Sequence, residues 1–440
     1  MSLKIKSVIA KYLLPVLLML SASANAQLTT VANDGWAGNS VNVVIFRKNS
    51  LVTFKDTQFT AYYDQNQVMV LAKRAVNATR WQVVKTSYKG DATDAHKSIS
   101  IMCDGQGYLH VAWGLHNQPL NYARSVMPGS LQLTEKMPML DKNEERVTYP
   151  EFYRLPGGDL LFFYRDGKSG NGNLVLNKYS ASQKKWKRVL SNLIDGEGRR
   201  NAYWQLCIDK KGVINISWVW RESPNVASNH DLCYARSADG GVTWQKSTGE
   251  SYQLPITESK AEYALHIPQN SELINQTSMT TDNQGRPYIA TYWRDSSSTI
   301  PQYHLVYKTG GNWQVQSLNS RKLAFSLSGV GTKSIPASRP QILVWNKGKK
   351  IHAALIFRDL ERGNKVSMAL NKNLTNDSWE IEDLLSSSVG SWEPTYDTGL
   401  WADKKVLNLL IQNVEQVDGE GMSSVKQSSV QVLKWVPGNN

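Results

Sequence analysis

The chain has 440 residues, with 50 Lys and Arg against 37 Asp and Glu and a formal charge of +13. That balance favours anionic partners, but no Lys/Arg-rich run concentrates the charge, which argues against nucleic acid. Only three cysteines occur, Cys103, Cys207 and Cys233, without C-x-x-C spacing, so free buried thiols are expected rather than a disulfide framework or a cysteine zinc cluster, with a pairing between two of them left open.

The N-terminus carries Lys4, Lys6 and Lys11, an apolar run from Tyr12 to Leu20, and Ala24-Asn25-Ala26, a small-residue cleavage pattern. This reads as a secretory signal peptide over residues 1–26, followed by a single catalytic domain over residues 27–440. No later stretch approaches the roughly 20 apolar residues that a membrane span needs. The expectation is a monomeric protein, secreted or periplasmic, with a formal charge of about +10 once the three lysines are removed. An exported cationic protein meets acidic polysaccharides, or simply carries a soluble surface.

Short β-rich segments with Gly, Asn and Asp turns fill the rest, with no long amphipathic helix and no Pro/Ser-rich linker, so the class is all-β. Internal repetition sets the architecture. Leu120-Asn121-Tyr122-Ala123-Arg124-Ser125 recurs as Leu232-Cys233-Tyr234-Ala235-Arg236-Ser237. Turns beginning at Asp104, Asp209 and Asp282 each close on a glycine and feed an alternating strand that ends near Trp113, Trp218 and Trp293. Tryptophans ending strand-like runs fall at Trp81, Trp186, Trp244, Trp313, Trp379 and Trp435, the first interval being about twice the others. One unmarked unit near residue 133 completes seven units of about 58 residues, a seven-bladed β-propeller whose chain ends meet in one blade. The stretch from Ser237 to Trp244 is an S-x-D-x-G-x-T-W Asp box, read as a blade turn without chemistry.

Within this repeat, His96 precedes an alternating strand and His116 follows the next strand of the same blade, so both imidazoles can meet at one rim. One blade later, Val147-Thr148-Tyr149-Pro150 precedes a strand, and Arg165 follows the apolar run Leu160 to Tyr164 at the end of the next. The bland reading of Arg165 is an ion pair between blades. Tyr203 and Arg221 repeat the arrangement in the fourth blade. His110 reads as a packed strand histidine. No His/Asp/Glu cluster shows metal spacing, so no catalytic metal or other cofactor is expected, and a structural calcium or zinc ion is left open.

The strings GYLHVAWGLHNQPLNYARS, TYPEFYRLPGGDLLFFYRDGKSGNGN and DLCYARSADGGVTW, with Ser391-Trp392-Glu393-Pro394-Thr395-Tyr396-Asp397 near the end, resemble the secreted propeller lyases that include ulvan lyases and L-rhamnose-α-1,4-D-glucuronate lyases. The resemblance implies an active centre of two histidines, a tyrosine and an arginine, matched here by His96, His116, Tyr149 and Arg165. It further implies β-elimination at a 4-linked uronate. Arg165 would clamp the carboxylate, His96 and Tyr149 would form the acid/base pair, and His116 would orient or help neutralise the carboxylate. Tyr203 and Arg221 would bind the uronate or a neighbouring sulfate. The expected partner is an anionic uronate-containing polysaccharide, ulvan first and rhamnose-capped arabinogalactan or gum arabic second. The choice between them turns on whether the cleft is open or blocked at one end. Competing readings are a glycoside hydrolase, including the related α-L-rhamnosidases that use a first-blade histidine on the opposite face, and a non-catalytic glycan-binding propeller.

Overall fold

The computed structural model describes residues 26–275 and 278–438. The expected signal segment up to residue 25 lies outside them. Apolar runs such as Leu109–Trp113 and Ile214–Arg221 form strands buried along their whole length, because neighbouring sheets cover both of their faces. Outer strands such as Gln82–Lys89 alternate exposed and half-buried residues.

Among the described residues the strands form seven antiparallel sheets, one per blade. Six follow one another along the chain. Their first strands are Leu51–Phe54, Ile99–Cys103, Val147–Arg154, Asn201–Ile208, Ser278–Thr281 and Gln341–Lys347. The seventh blade pairs the N-terminal strand Gln27–Trp36 with the C-terminal strand Gln427–Trp435, which pairs in turn with Leu407–Ile411. The chain is therefore an all-β, seven-bladed propeller closed by its own ends. Among the described residues no helix is long and apolar enough to cross a membrane.

The repeated turns share one device. Asp104 Oδ1 accepts the N–H groups of Gln106 and Tyr108, and Asp209 and Asp282 do the same for the residues two and four positions on. Each turn closes on a glycine of positive φ, Gly107, Gly212 and Gly285, where a side chain would be strained. In the Asp box, Asp239 accepts from Val242 and Thr243, while Trp244 is fully buried and donates to the Gly241 carbonyl. The box fixes a hairpin. All three cysteines are free, Cys103 and Cys233 buried and Cys207 half-buried. His110 is fully buried against Tyr122 and Asp104.

Two strand boundaries differ from the sequence reading. Tyr149 lies inside Val147–Arg154, at a bulge between Thr148 and Glu151. Pro150, lacking an N–H, fits an inner strand only where pairing is already interrupted. Arg165 lies inside Leu160–Lys168, since the glycine-rich segment after it forms a hairpin with Asn171–Ser180.

Leu433, buried in the closing strand and paired with both Leu28 and Leu409, tests the closure. Leu433→Ala should destabilise the fold by about 2–5 kcal/mol, measured by denaturant unfolding. A loss below about 1 kcal/mol would show that closure contributes little.

Candidate functional site

The six candidate residues from the second, third and fourth blades line a single cavity of about 160 Å³ at one face of the propeller. A larger cavity of about 720 Å³ lies at the opposite ends of the same inner strands, where Tyr153 and Cys207 replace Tyr149 and Tyr203. Size does not locate the chemistry here; the polar set does.

Local structure explains each placement. His116 begins a short strand, His116–Gln118, that leaves its own blade and pairs with the third, setting His116 opposite Thr148. The Asn117 N–H donates to Thr148 Oγ1 at 2.7 Å and fixes this crossing. Tyr149 is held at φ 55°, in the left-handed region that bulky residues avoid, so its orientation is maintained by the surrounding fold at a cost in backbone strain. Gly172 gives Arg165 room, because a Cβ there would lie 2.7 Å from Arg165 Cγ.

The aromatic groups form a continuous pile. Phe46 stacks on His96 with centroids 4.7 Å apart, and His96 stacks on His116 at 4.3 Å. Tyr149 lies 6.0 Å from both His96 and Tyr203. The Arg165 guanidinium is 5.0 Å from the Tyr149 ring and 5.8 Å from Tyr203, and that of Arg221 is 5.3 Å from Tyr203. Arg165 is almost fully buried, its Nε donates to the Gly167 carbonyl at 3.2 Å, and its Nη1 is buried without a partner. Among the described residues no carboxylate forms an ion pair with Arg165 or Arg221. The site therefore holds a buried cation with an unused donor, the condition for binding an anion.

Asp94 organises the histidines. Its Oδ1 accepts from His96 Nδ1 at 2.9 Å and its Oδ2 from His116 Nδ1 at 2.7 Å. Burial opposes charge on His96, but Asp94 and Glu420, the latter 3.4 Å away, outweigh it and raise the imidazolium pKa to about 9. Burial also lowers His116, and the charges of His96 and Arg165 keep it below the ordinary histidine value despite Asp94. The two rings thus share one carboxylate but hold opposite protonation states at neutral pH. Burial would raise the Asp94 carboxyl, yet its hydrogen bonds from both histidines hold it well below the usual range. Burial and Tyr203 push the Tyr149 phenol well above its ordinary value. Burial would raise Tyr203 too, but Arg165 and Arg221 bring it down to about 7.

Three contributors escaped the sequence reading. Asp94 had a usable signal, standing two residues before His96. Glu420 and Thr332, whose hydroxyl is 3.3 Å from His96 Nδ1, come from distant loops and had none. Asp94, His96 and His116 also place one donor atom each within 4.8 Å of one another, a grouping of zinc-compatible types that only the fold assembles.

Comparison with known proteins followed the same direction. The long isoform of ulvan lyase from Alteromonas sp is 28% identical over 283 residues, covering 50% of this chain and 28% of that protein. The short isoform from Alteromonas sp. (strain LOR) is 28% identical over 204 residues, covering 42% of this chain and 37% of that protein. The chain spans well under half the length of these curated relatives. Among solved structures, a PL25 ulvan lyase superposes with a TM-score of 0.66 at 13% identity, covering 91% of this chain and 94% of that one. The polysaccharide lyase Uly1 gives 0.69 at 13% identity, covering 93% and 99%. At such identity the likeness establishes the shared propeller fold. The profile of the BNR repeat-containing family matches residues 57–321, more than half of the sequence, and with seven blades and an Asp box in place the chain belongs to that family.

Proposed function

We propose that this protein is a polysaccharide lyase that cleaves at a 4-linked uronate by β-elimination, with the rhamnose-α-1,4-glucuronate linkage of ulvan as its substrate. The observation that carries the reading is Arg165, a buried guanidinium without an acidic partner, set beside a neutral histidine and a protonated tyrosine. Ulvan lyases are among the sequence relatives, and a PL25 ulvan lyase has been solved with a -[GlcA(1-4)Rha3S]- chain.

In the proposed reaction Arg165 holds the uronate carboxylate and favours the negative charge that grows on it as the C5 proton leaves. His116 removes that proton. A neutral ring donating Nδ1–H to Asp94 keeps Nε2 as its basic nitrogen, and His116 is the more exposed of the two histidines. The C5–H electron pair becomes the C4–C5 double bond, the C4–O4 bond breaks, and Tyr149 donates its proton to the departing oxygen. His96, charged at neutral pH, adds a positive charge that stabilises the enolate-like carboxylate. This exchanges the parts that sequence reasoning gave the two histidines, because His96 has two carboxylate neighbours and His116 has two cationic ones. Tyr203 and Arg221 bind the uronate or an adjoining sulfate. The two guanidinium groups draw charge onto the Tyr203 phenol, and an arriving carboxylate competes for that place.

The rivals fare worse. A rhamnosidase acting from the opposite face needs a histidine there, and among the described residues none lines the opposite cavity. Among the described residues no pair of facing carboxylates lines the site for hydrolysis. Monomeric action outside the cytoplasm accompanies the lyase reading, without a catalytic metal or cofactor, and a structural calcium or zinc ion is compatible with it.

Incubation with ulvan and, separately, gum arabic should yield ultraviolet-absorbing unsaturated uronate together with new reducing ends. Reducing ends without the absorbance would establish a hydrolase instead, and binding without either signal a lectin-like propeller. Tyr149→Phe and His116→Ala should each lower kcat by about 10²–10⁴-fold with the fold intact by circular dichroism; near-full turnover in either would overturn its assigned role.

The protonation states also predict a bell-shaped rate profile. Activity should rise with pH as His116 loses its proton, below the ordinary value of 6.5, and fall as His96 loses its own near pH 9. Glu420→Gln removes one carboxylate that raises His96, so the alkaline limb should move to lower pH. An unmoved alkaline limb in kcat/KM would remove His96 from the charge account.

A further inference from the structure

The connection from the fifth blade to the sixth is unusually long. Between Asn312–Ser317 and Gln341–Lys347 the chain has no regular strand or helix. Connections of this length in a folded domain are uncommon and, where ordered, are commonly functional. This one is firmly attached. At its start, Arg321 pairs with Asp359 and Glu361, and the Lys322 and Leu323 N–H groups donate to Glu361. Near its end, Arg358 donates to the carbonyls of Ile335 and Pro336.

Its middle crosses the active face as a strap. On one side Gly329 N–H donates to Asn225 Oδ1 at 2.7 Å, and its carbonyl accepts from Val226 N–H at 2.9 Å, joining the strap to the fourth blade. On the other side the Thr332 carbonyl accepts from Gly419 N–H at 2.8 Å, and Ser334 N–H donates to Asp418 Oδ1 at 2.8 Å, joining it to the seventh. A Cβ on Gly331 would lie 3.0 Å from Gly419 Cα, so the two backbones touch without a gap. Thr332 then reaches His96.

We infer that this strap closes the sector over the fifth and sixth blades and makes the site a blind pocket that takes the end of a glycan chain, so that the enzyme works from a terminus instead of cutting within the polymer. This rests on the lyase reading and specifies its mode. The pocket is lined from several blades and from the strap. His96 and His116 come from the second blade, Tyr149 and Arg165 from the third, Tyr203 and Arg221 from the fourth, and further lining comes from the strap and Glu420. A groove for a continuous polysaccharide needs two exits, and the exit opposite the second and third blades is occupied by the strap. The cavity is small: about 160 Å³, below the roughly 300–1,000 Å³ typical of sites for drug-sized ligands.

Product size tests the inference apart from the chemistry. Early in digestion of ulvan, unsaturated absorbance should accumulate in disaccharide fractions, and with gum arabic free rhamnose should appear while the absorbance stays on the polymer; in both, the polymer peak in size-exclusion chromatography stays near its starting position. A rapid fall in polymer size with intermediate oligosaccharides overturns the blind pocket and leaves the lyase intact. If no unsaturated product forms, the elimination itself fails, and the pocket is judged by binding. Binding capacity of His116→Ala for ulvan or gum arabic should rise in proportion to the number of chain ends as a fixed mass is cut shorter. Capacity set by mass alone, or no binding, overturns it. Asn225→Ala combined with Asp418→Ala, which removes both side-chain anchors of the strap's middle and leaves its backbone bonds to Val226 and Gly419 and the acid/base groups in place, should shift products toward longer oligosaccharides at an unchanged thermal midpoint. Unchanged product lengths in that variant would count equally against the inference.

Discussion

The site depends first on ring closure. A propeller whose first and last strands did not pair would expose two sheet edges and lose the fixed angle between blades. Closure also reaches the reactive groups through one buried connection. Glu393, just before the closing blade, accepts from Ile45 N–H and from the backbone and guanidinium of Arg339. Arg339 lies over the Phe46 ring at 4.5 Å, and Phe46 supports the stacked His96 and His116. A buried ion pair is a weak source of net stability, but removing one partner leaves an uncompensated charge. Its value here is positional. It couples the two chain ends and the sixth blade to the floor on which the histidines rest.

On that floor one carboxylate performs two different tasks. Two imidazoles in van der Waals contact cannot both be charged cheaply, so a shared anion divides them into one cation and one neutral ring. Asp94 alone would treat them alike. Glu420 near His96 and Arg165 near His116 break the symmetry, in opposite directions. The result is a base and a positive charge from the same residue type at the same depth. The cost is concentrated there as well: an arginine without an acid, a tyrosine at positive φ, and a second tyrosine drawn toward ionisation. Strain and unsatisfied charge gathered at one place are what a site that must bind and polarise an anion has to maintain.

How much of this could be read from the sequence follows from the range of each interaction. The fold was legible because blades repeat: three carry a turn aspartate, Asp104, Asp209 and Asp282, and six of the seven carry a strand-ending tryptophan. The second blade lacked its tryptophan because its outer segment is an irregular stretch joined by the Ser125–Leu133 bridge, where no strand-ending ring is needed. Arg165 was legible because a charged residue ending an apolar run is hard to explain as surface. Its precise setting was not, since the glycine-rich segment after it resembles a loop and forms a hairpin. Tyr149 was placed before its strand for a similar reason: a proline normally ends pairing, and only the bulge lets the strand continue past it. Thr332 meets His96 across 236 positions of sequence, and no local pattern encodes such a contact.

The same range argument separates the strap from the four reactive residues. Reactive side chains on inner strands are bound by the ring and cannot move without disturbing a blade. A connection running over the face is restrained at its attachments, here Asn225, Val226, Asp418 and Gly419 on the face and Asp359, Glu361 and Arg358 at its ends, so its course between them can change while the strands beneath remain. Substrate chemistry is then written in the strands and substrate shape in the connection. On the proposed reading, a polymer approaching this face meets a field set by His96, Arg165 and Arg221 that attracts a uronate, and the strap residues Val330 and Thr332 admit a chain end to His116. Attraction is general and access is restrictive, and the product is decided by access.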